Sequence, residues 1–165
     1  MTEPSGRVLL LRNNRLRGHI PQNLCSLSSI KILDLANTKL NRSIPSCLNN
    51  ISFGRGSSHD NDHHPLALAW IMNWECIQGP WIYNLRNLQR VCSLNLSRNS
   101  FLGLTPESFS NLTDIESLDL SFNMLWGPIL QDLGKLHNRV VFNASYNNLS
   151  GSIPTSKSRK TFYIG

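Results

Sequence analysis

Leucines and other apolar residues recur along this chain at a fixed spacing. Five segments align without gaps: LLLRNNRLRGHIPQNLCSL from Leu9, LDLANTKLNRSIPSCLNNI from Leu33, LNLSRNSFLGLTPESFSNL from Leu94, LDLSFNMLWGPILQDLGKL from Leu118 and FNASYNNLSGSIPTS from Phe142. The step from Leu9 to Leu33 is the same as from Leu94 to Leu118 and from Leu118 to Phe142. The shared frame is L-x-L-x-x-N-x-L-x-G-x-I-P-x-x-L-x-x-L. Its L-x-L alternation predicts a short strand whose two leucines point into a core while the residue between them points out. The Asn that follows (Asn14, Asn99, Asn123, Asn147) is expected at a buried turn, its amide satisfying backbone groups of neighbouring coils. The glycine permits a tight path, and Ile-Pro forces an extended segment leading to the outer side of the coil. Coils of this kind stack about 4.8 Å apart and give one continuous parallel sheet on a concave inner side.

The copies carry departures from the frame. Thr38 stands where the buried Asn belongs, Arg42 replaces the glycine, Leu130 replaces the proline, and Thr105 precedes Pro106 in place of Ile. These weaken single coils without changing the fold. A larger break separates the two blocks. Leu35 and Leu96, the second leucines of their strands, are more than two periods but less than three apart, so no whole number of coils fits between them. One period back from Leu96 is Met72, around which WIMNWECIQGPWIYNLRNL fits the frame loosely, with Trp70 and Met72 as the inward pair. The expected organisation is therefore two coils over 1–51, an inserted polar loop over 52–69, one degenerate and three regular coils over 70–154, and a tail over 155–165.

A frame of this form, with a period of about 24 residues, is that of the leucine-rich repeat. The expected fold is a leucine-rich repeat solenoid, a β-rich right-handed superhelix of the α/β horseshoe type with a parallel concave sheet. The Gly-x-Ile-Pro element resembles the plant-specific form of the repeat. More narrowly, LRNNRLRGHIPQNLCSLSSIKILDLANTKLNRSIPSCLNNISFG resembles the stretch that precedes the island in plant receptor-like proteins. NLQRVCSLNLSRNSFLGLTPESFSNLTDIESLDLSFNMLWGPI resembles the coils that follow it. The resemblance implies a cell-surface receptor of immune or developmental signalling, at the outer face of the plasma membrane. Its concave face and island would read a ligand, and its final coils would meet a co-receptor kinase. It also implies a signal peptide, capping modules and a membrane helix, and none of these is legible here. No apolar run approaches the roughly 18 residues of a membrane span, and TEPSGR after Met1 lacks the apolar core of a signal peptide. The expectation is a truncated stretch of a longer parent, without a membrane span of its own.

Composition changes this picture little. Charged residues make up 16% and hydrophobic ones 40%, which describes a folded chain. The net charge of +6 is uneven. Residues 1–42 carry Arg7, Arg12, Arg15, Arg17, Lys31, Lys39 and Arg42 against Glu3 and Asp34. With no nucleic-acid motif beside it, this reads as a solvated face and not as a nucleic-acid surface. N-x-S/T sequons at Asn41, Asn50, Asn95, Asn111, Asn143 and Asn148 favour a secreted, glycosylated parent. Cys25 and Cys47 lie almost one coil apart, which sets them on adjacent outer turns within disulfide reach. Cys76 and Cys92 fall out of phase and read as unpaired or mismatched. The run HDNDHH offers His59, Asp60, Asp62, His63 and His64 as donor types for a metal. A polar, glycine-flanked loop gives them no rigid geometry, so the run reads as an island remnant, and neither metal nor cofactor is expected. No phosphate-binding loop, nucleophile elbow or spaced carboxylate pair stands out, so an enzyme is not expected.

On a solenoid, binding residues project from the concave sheet at equivalent positions down the stack. Between the two leucines stand Leu10, Asp34, Ile71, Asn95, Asp119 and Asn143. Just before the ladder Asn stand Asn13, Asn37, Trp74, Arg98, Phe122 and Tyr146, an aromatic strip interrupted by Arg98. Asp34, Trp74, Asn95, Arg98, Asp119, Phe122, Asn143 and Tyr146 are the candidate surface for a protein or peptide ligand or a co-receptor. The leading expectation is thus a non-catalytic binding module. The alternatives are a secreted enzyme inhibitor of the polygalacturonase-inhibitor type, against which the break after residue 51 argues, and a relic without independent function.

Overall fold

The computed structural model describes residues 7–27, 30–50, 93–112, 115–136, 140–155 and 160–165. Its strands are β1 (Arg7–Leu10), β2 (Arg17–Gly18), β3 (Ile30–Asp34), β4 (Lys39–Arg42), β5 (Ser93–Asn95), β6 (Ser100–Gly103), β7 (Ser117–Asp119), β8 (Met124–Pro128), β9 (Val141–Asn143), β10 (Asn148–Ser150) and β11 (Thr161–Tyr163). Each L-x-L becomes one strand of a six-stranded parallel sheet in the order β1-β3-β5-β7-β9-β11. Its register aligns Leu9 with Leu33, Leu94, Leu118 and Phe142. Across the coil, 3-10 turns at Gln22–Ser26, Ser46–Asn50, Glu107–Asn111 and Gln131–Lys135 form the outer side. Leu33, Leu48, Leu94, Leu96, Phe101, Phe109, Leu118 and Leu120 fill the interior and are fully buried.

A second parallel sheet, in the order β10-β8-β6-β4-β2, lies along the side of the solenoid. It is built from the x-L-x-G stretch of the frame. Leu40, Phe101 and Leu125 turn inward there, and the residues on either side of each turn out.

The frame Asn joins consecutive coils. Asn123 Nδ2 donates to the Leu96 carbonyl of the previous coil (3.0 Å) and to Leu120 O (3.0 Å) and Ser121 O (3.2 Å) of its own. Its Oδ1 accepts from Phe101 N (3.0 Å). Asn147 repeats this one coil on, with Leu120 O (2.9 Å) and Leu125 N (3.0 Å). The substitution at Thr38 is accommodated within the same ladder. Its buried hydroxyl donates to Asn99 Oδ1 at 2.6 Å. Arg42 adopts φ of 68°, close to the left-handed values that the frame glycines hold in the other coils.

Two features of the stacking are not carried by the repeat period. The degenerate coil over 70–92 and the polar loop over 52–69 lie outside the described residues. However, β3 pairs directly with β5, matching Ile32 to Ser93, Leu33 to Leu94 and Asp34 to Asn95. The Asn ladder crosses the same junction, since Asn99 Nδ2 donates to Leu35 O (2.9 Å) and Leu40 N to Asn99 Oδ1 (3.2 Å). The physical reason is that complementary coil faces are matched by the frame itself, so the coils on either side of the gap stack on each other. The second concerns the tail. Thr161–Tyr163 pairs with β9 and forms a sixth concave strand, with Phe162 opposite Phe142 and their rings edge to face at 6.1 Å. The step from Val141 to Thr161 falls short of a full period, which hid this strand from the periodicity.

Cys25 and Cys47 form the expected disulfide, with Cα atoms 5.6 Å apart, tying two consecutive outer turns. It closes a loop with a sequence separation of 22. Chain entropy for such a loop amounts to about 3 kcal/mol of stabilisation. The double variant Cys25→Ser/Cys47→Ser should therefore lose about 2–3 kcal/mol in denaturant titration, and added thiol reductant should lower the stability of the wild type but not of the variant.

Candidate binding face

The concave sheet presents two columns of different character. In the column between the inward leucines, side chains bind the backbone two residues on. Asp34 Oδ1 accepts from Ala36 N (2.9 Å), Asn95 Oδ1 from Ser97 N (3.0 Å), Asp119 Oδ1 from Ser121 N (2.9 Å) and Asn143 Oδ1 from Ser145 N (3.2 Å). These Asx turns bend the chain out of the strand. The sequence shows the signature as Asp or Asn followed two residues later by Ala or Ser (DLA, NLS, DLS, NAS). Asp119 is buried and Asp34, Asn95 and Asn143 are half-buried. This column therefore sets the backbone.

Burial is the largest influence on both carboxyls and pushes Asp34 and Asp119 above the usual carboxylate range. Arg12, which the sequence reading did not single out, lies across this column with Nη1 3.9 Å from Asp34 Oδ2. It pulls both carboxyls the other way, as do their hydrogen bonds to Ala36 and Ser121. The folded chain holds the Asp119 proton more tightly than the unfolded chain does. Its contribution to stability is thus fully present below the unfolded carboxylate value and lost as pH rises through the raised folded value. Asn occupies the same place in the β5 and β9 coils with the same turn intact. Asp119→Asn should accordingly melt above the wild type at neutral pH, and the gap should close in acid below the ordinary carboxylate range. A variant less stable at neutral pH would show that the attraction of Arg12 outweighs burial.

The column just before the ladder Asn is different. Asn13, Asn37, Arg98, Phe122 and Tyr146 all have left-handed backbone, with φ between 49° and 58°. Asn13 and Asn37 join through a side-chain hydrogen bond of 2.8 Å. Beyond Asn37 the column passes to Arg98, because β3 pairs with β5. The Arg98 guanidinium lies 4.3 Å from the centre of the Phe122 ring. That ring stacks on Tyr146 with centroids 4.1 Å apart and planes 13° from parallel. Phe122 is 37% and Tyr146 65% exposed. Arg98 thus caps the Phe122–Tyr146 stack. Trp74 lies outside the described residues, as do Ile71, the HDNDHH run, Cys76, Cys92 and the side chain of Asn50. Among the other sequons, Asn111 and Asn148 are exposed and Asn41 is half-buried. No helix among the described residues is long and apolar enough to cross a membrane.

Profiles of the leucine rich repeat match residues 6–27, 29–51 and 81–125, together more than half of the chain. Receptor-like protein 32 of Arabidopsis thaliana is 46% identical over 94% of this chain. The chain spans 19% of the length of that relative. Among solved structures, the plant peptide hormone receptor RGFR1 in complex with RGF2 has a TM-score of 0.64 at 27% identity, covering 96% of this chain and 21% of that one. The Arabidopsis receptor kinase HAESA, solved with the peptide hormone IDA and the co-receptor SERK1, has a TM-score of 0.60 at 27% identity, covering 89% and 18%. The chain belongs to the leucine-rich repeat family, and the relatives it matches over nearly its whole length are plant receptor-like proteins.

Proposed function

We propose that this chain is a ligand-reading stretch of a plant cell-surface receptor-like protein, and that the Arg98–Phe122–Tyr146 stack is its contact with a peptide or protein. The supporting observation is the cost that the stack carries. A left-handed backbone suits Asn, which fills the same position at Asn13 and Asn37, and it disfavours bulky side chains by on the order of 1–2 kcal/mol. Two large aromatics are nonetheless held there, both exposed to solvent, with a cation against the Phe122 ring. Aromatic rings and arginine are the side chains that anchor protein interfaces. The likeness to peptide-bound ectodomains supports a peptide ligand, and the SERK1-bound neighbour supports a co-receptor as a second partner. No catalytic role is assigned.

The backbone preference gives a test that separates binding from folding. Phe122→Asn and Tyr146→Asn should melt at or above the wild type, because Asn accepts the left-handed turn more readily. Binding to secreted plant peptides or to a co-receptor ectodomain, titrated by surface plasmon resonance, should weaken by at least tenfold, about 1.4 kcal/mol. A ligand that binds both Asn variants as it binds the wild type would refute this assignment.

A further inference from the structure

The lateral sheet carries an exposed apolar patch that the concave site does not use. Trp126 and Met124 of β8 and Leu102 and Leu104 beside them are each about half exposed. Leu102 pairs with Met124 across the strands. A side chain at Gly127 would collide with Leu104, so the glycine leaves room for that leucine. Patches of this kind on a folded surface call for an occupant. Strand register identifies one. Asn148 stands directly opposite Trp126 in the pairing of β10 with β8. Directly paired residues project from the same face, with Cβ atoms about 5 Å apart. Asn148 is exposed, belongs to the sequon Asn148-Leu149-Ser150, and lies on the edge strand of that sheet.

We propose that Asn148 carries an N-linked glycan whose first sugar lies on the Trp126 indole and covers this patch. This inference rests on the extracellular reading given above. In the transfer, Asn148 Nδ2 forms a bond to C1 of the reducing-end sugar of a lipid-pyrophosphate-linked oligosaccharide. The bond from C1 to the pyrophosphate breaks, the lipid pyrophosphate leaves with the electron pair, and the displaced amide proton passes to a base. An aromatic face adjoining the attachment point suits the apolar C–H face of a pyranose, as indole combines a flat apolar surface with a single polar N–H. Asn148 differs in this from three other sequons. Asn95 and Asn143 are occupied with concave turns, and Asn111 lies on an outer 3-10 turn.

The test uses the full chain expressed behind a leader through a eukaryotic secretory pathway. Peptide mass mapping should find Asn148 glycosylated. Enzymatic release of the glycan should raise acrylamide quenching of Trp126 about twofold, as a covered indole returns to roughly half exposure, and should shift its emission to the red. Subtracting the signal of Trp126→Phe isolates this residue from the other three tryptophans of the chain. Because release leaves Asp at position 148, Asn148→Gln serves as the uncharged control. It should show the released state from the outset, whereas Asn111→Gln should not. If Trp126→Phe fails to fold, the total quenching of Asn148→Gln against wild type gives the same comparison. An unmodified Asn148 overturns the proposal. So does a modified Asn148 whose removal leaves Trp126 quenching unchanged, and the patch would then be open to a protein partner. Neither outcome touches the concave reading, which stands or falls on Phe122→Asn and Tyr146→Asn.

Discussion

Asn123→Ala is expected to destabilise the solenoid by about 2–3 kcal/mol, although it removes only one small polar side chain. The methyl group of alanine leaves the Phe101 N–H without the Oδ1 acceptor it has at 3.0 Å. It also removes the donor shared by the carbonyls of Leu96, Leu120 and Ser121. Unmet backbone groups that are shielded from water cost roughly 1–3 kcal/mol each, and partial rehydration reduces the sum. Position in the ladder matters more than residue type. Asn14, at the end of the described ladder, donates only to Leu11 O and Arg12 O of its own coil and is exposed. Asn14→Ala should therefore cost about 1 kcal/mol or less. Urea titration of the two variants side by side gives the comparison, and equal losses would contradict the inter-coil role of Asn123.

Phe109→Ala should have a larger effect, about 3–5 kcal/mol, which approaches the whole stability of a modest domain. Phe109 sits on an outer 3-10 turn with its ring fully buried in the common core. Truncation removes its transfer energy and leaves a void that rigidly stacked coils on either side cannot close. Leu48 and Leu133 hold the equivalent place in the coils below and above and are likewise buried. Phe109→Leu should consequently cost only about 1–1.5 kcal/mol, since that position already accepts leucine with repacking. Thermal unfolding followed by circular dichroism distinguishes the two. A Phe109→Leu variant as damaged as Phe109→Ala would mean that ring shape, not volume, matters there.

The frame made the core, the ladder and the concave strands legible because each depends on residues within a single period. The inward leucines, the Asn and the outer turn are local in sequence, and stacking repeats them. The Cys25–Cys47 bridge was legible for the same reason, as it joins like positions on consecutive turns. The second sheet is not legible because its strands alternate around at most one buried residue, such as Leu40 or Phe101, too short a run to stand out as a strand.

What the sequence by itself determined is the period, the fold and the columns that face the concave side. Tertiary structure alone decided which coil stacks on which. Leu35 and Leu96 are not a whole number of periods apart, yet contact between distant residues joins Leu35 to Asn99 and Asp34 to Asn95. It also decided the roles of like-looking concave residues. Asp34 and Asp119 are turned into their own backbone, while Arg98, Phe122 and Tyr146 stack into one surface. The physical reason is that periodicity reports the energy of burying a side chain within its own coil. Partners supplied by neighbouring coils depend on register, which a single strand does not encode.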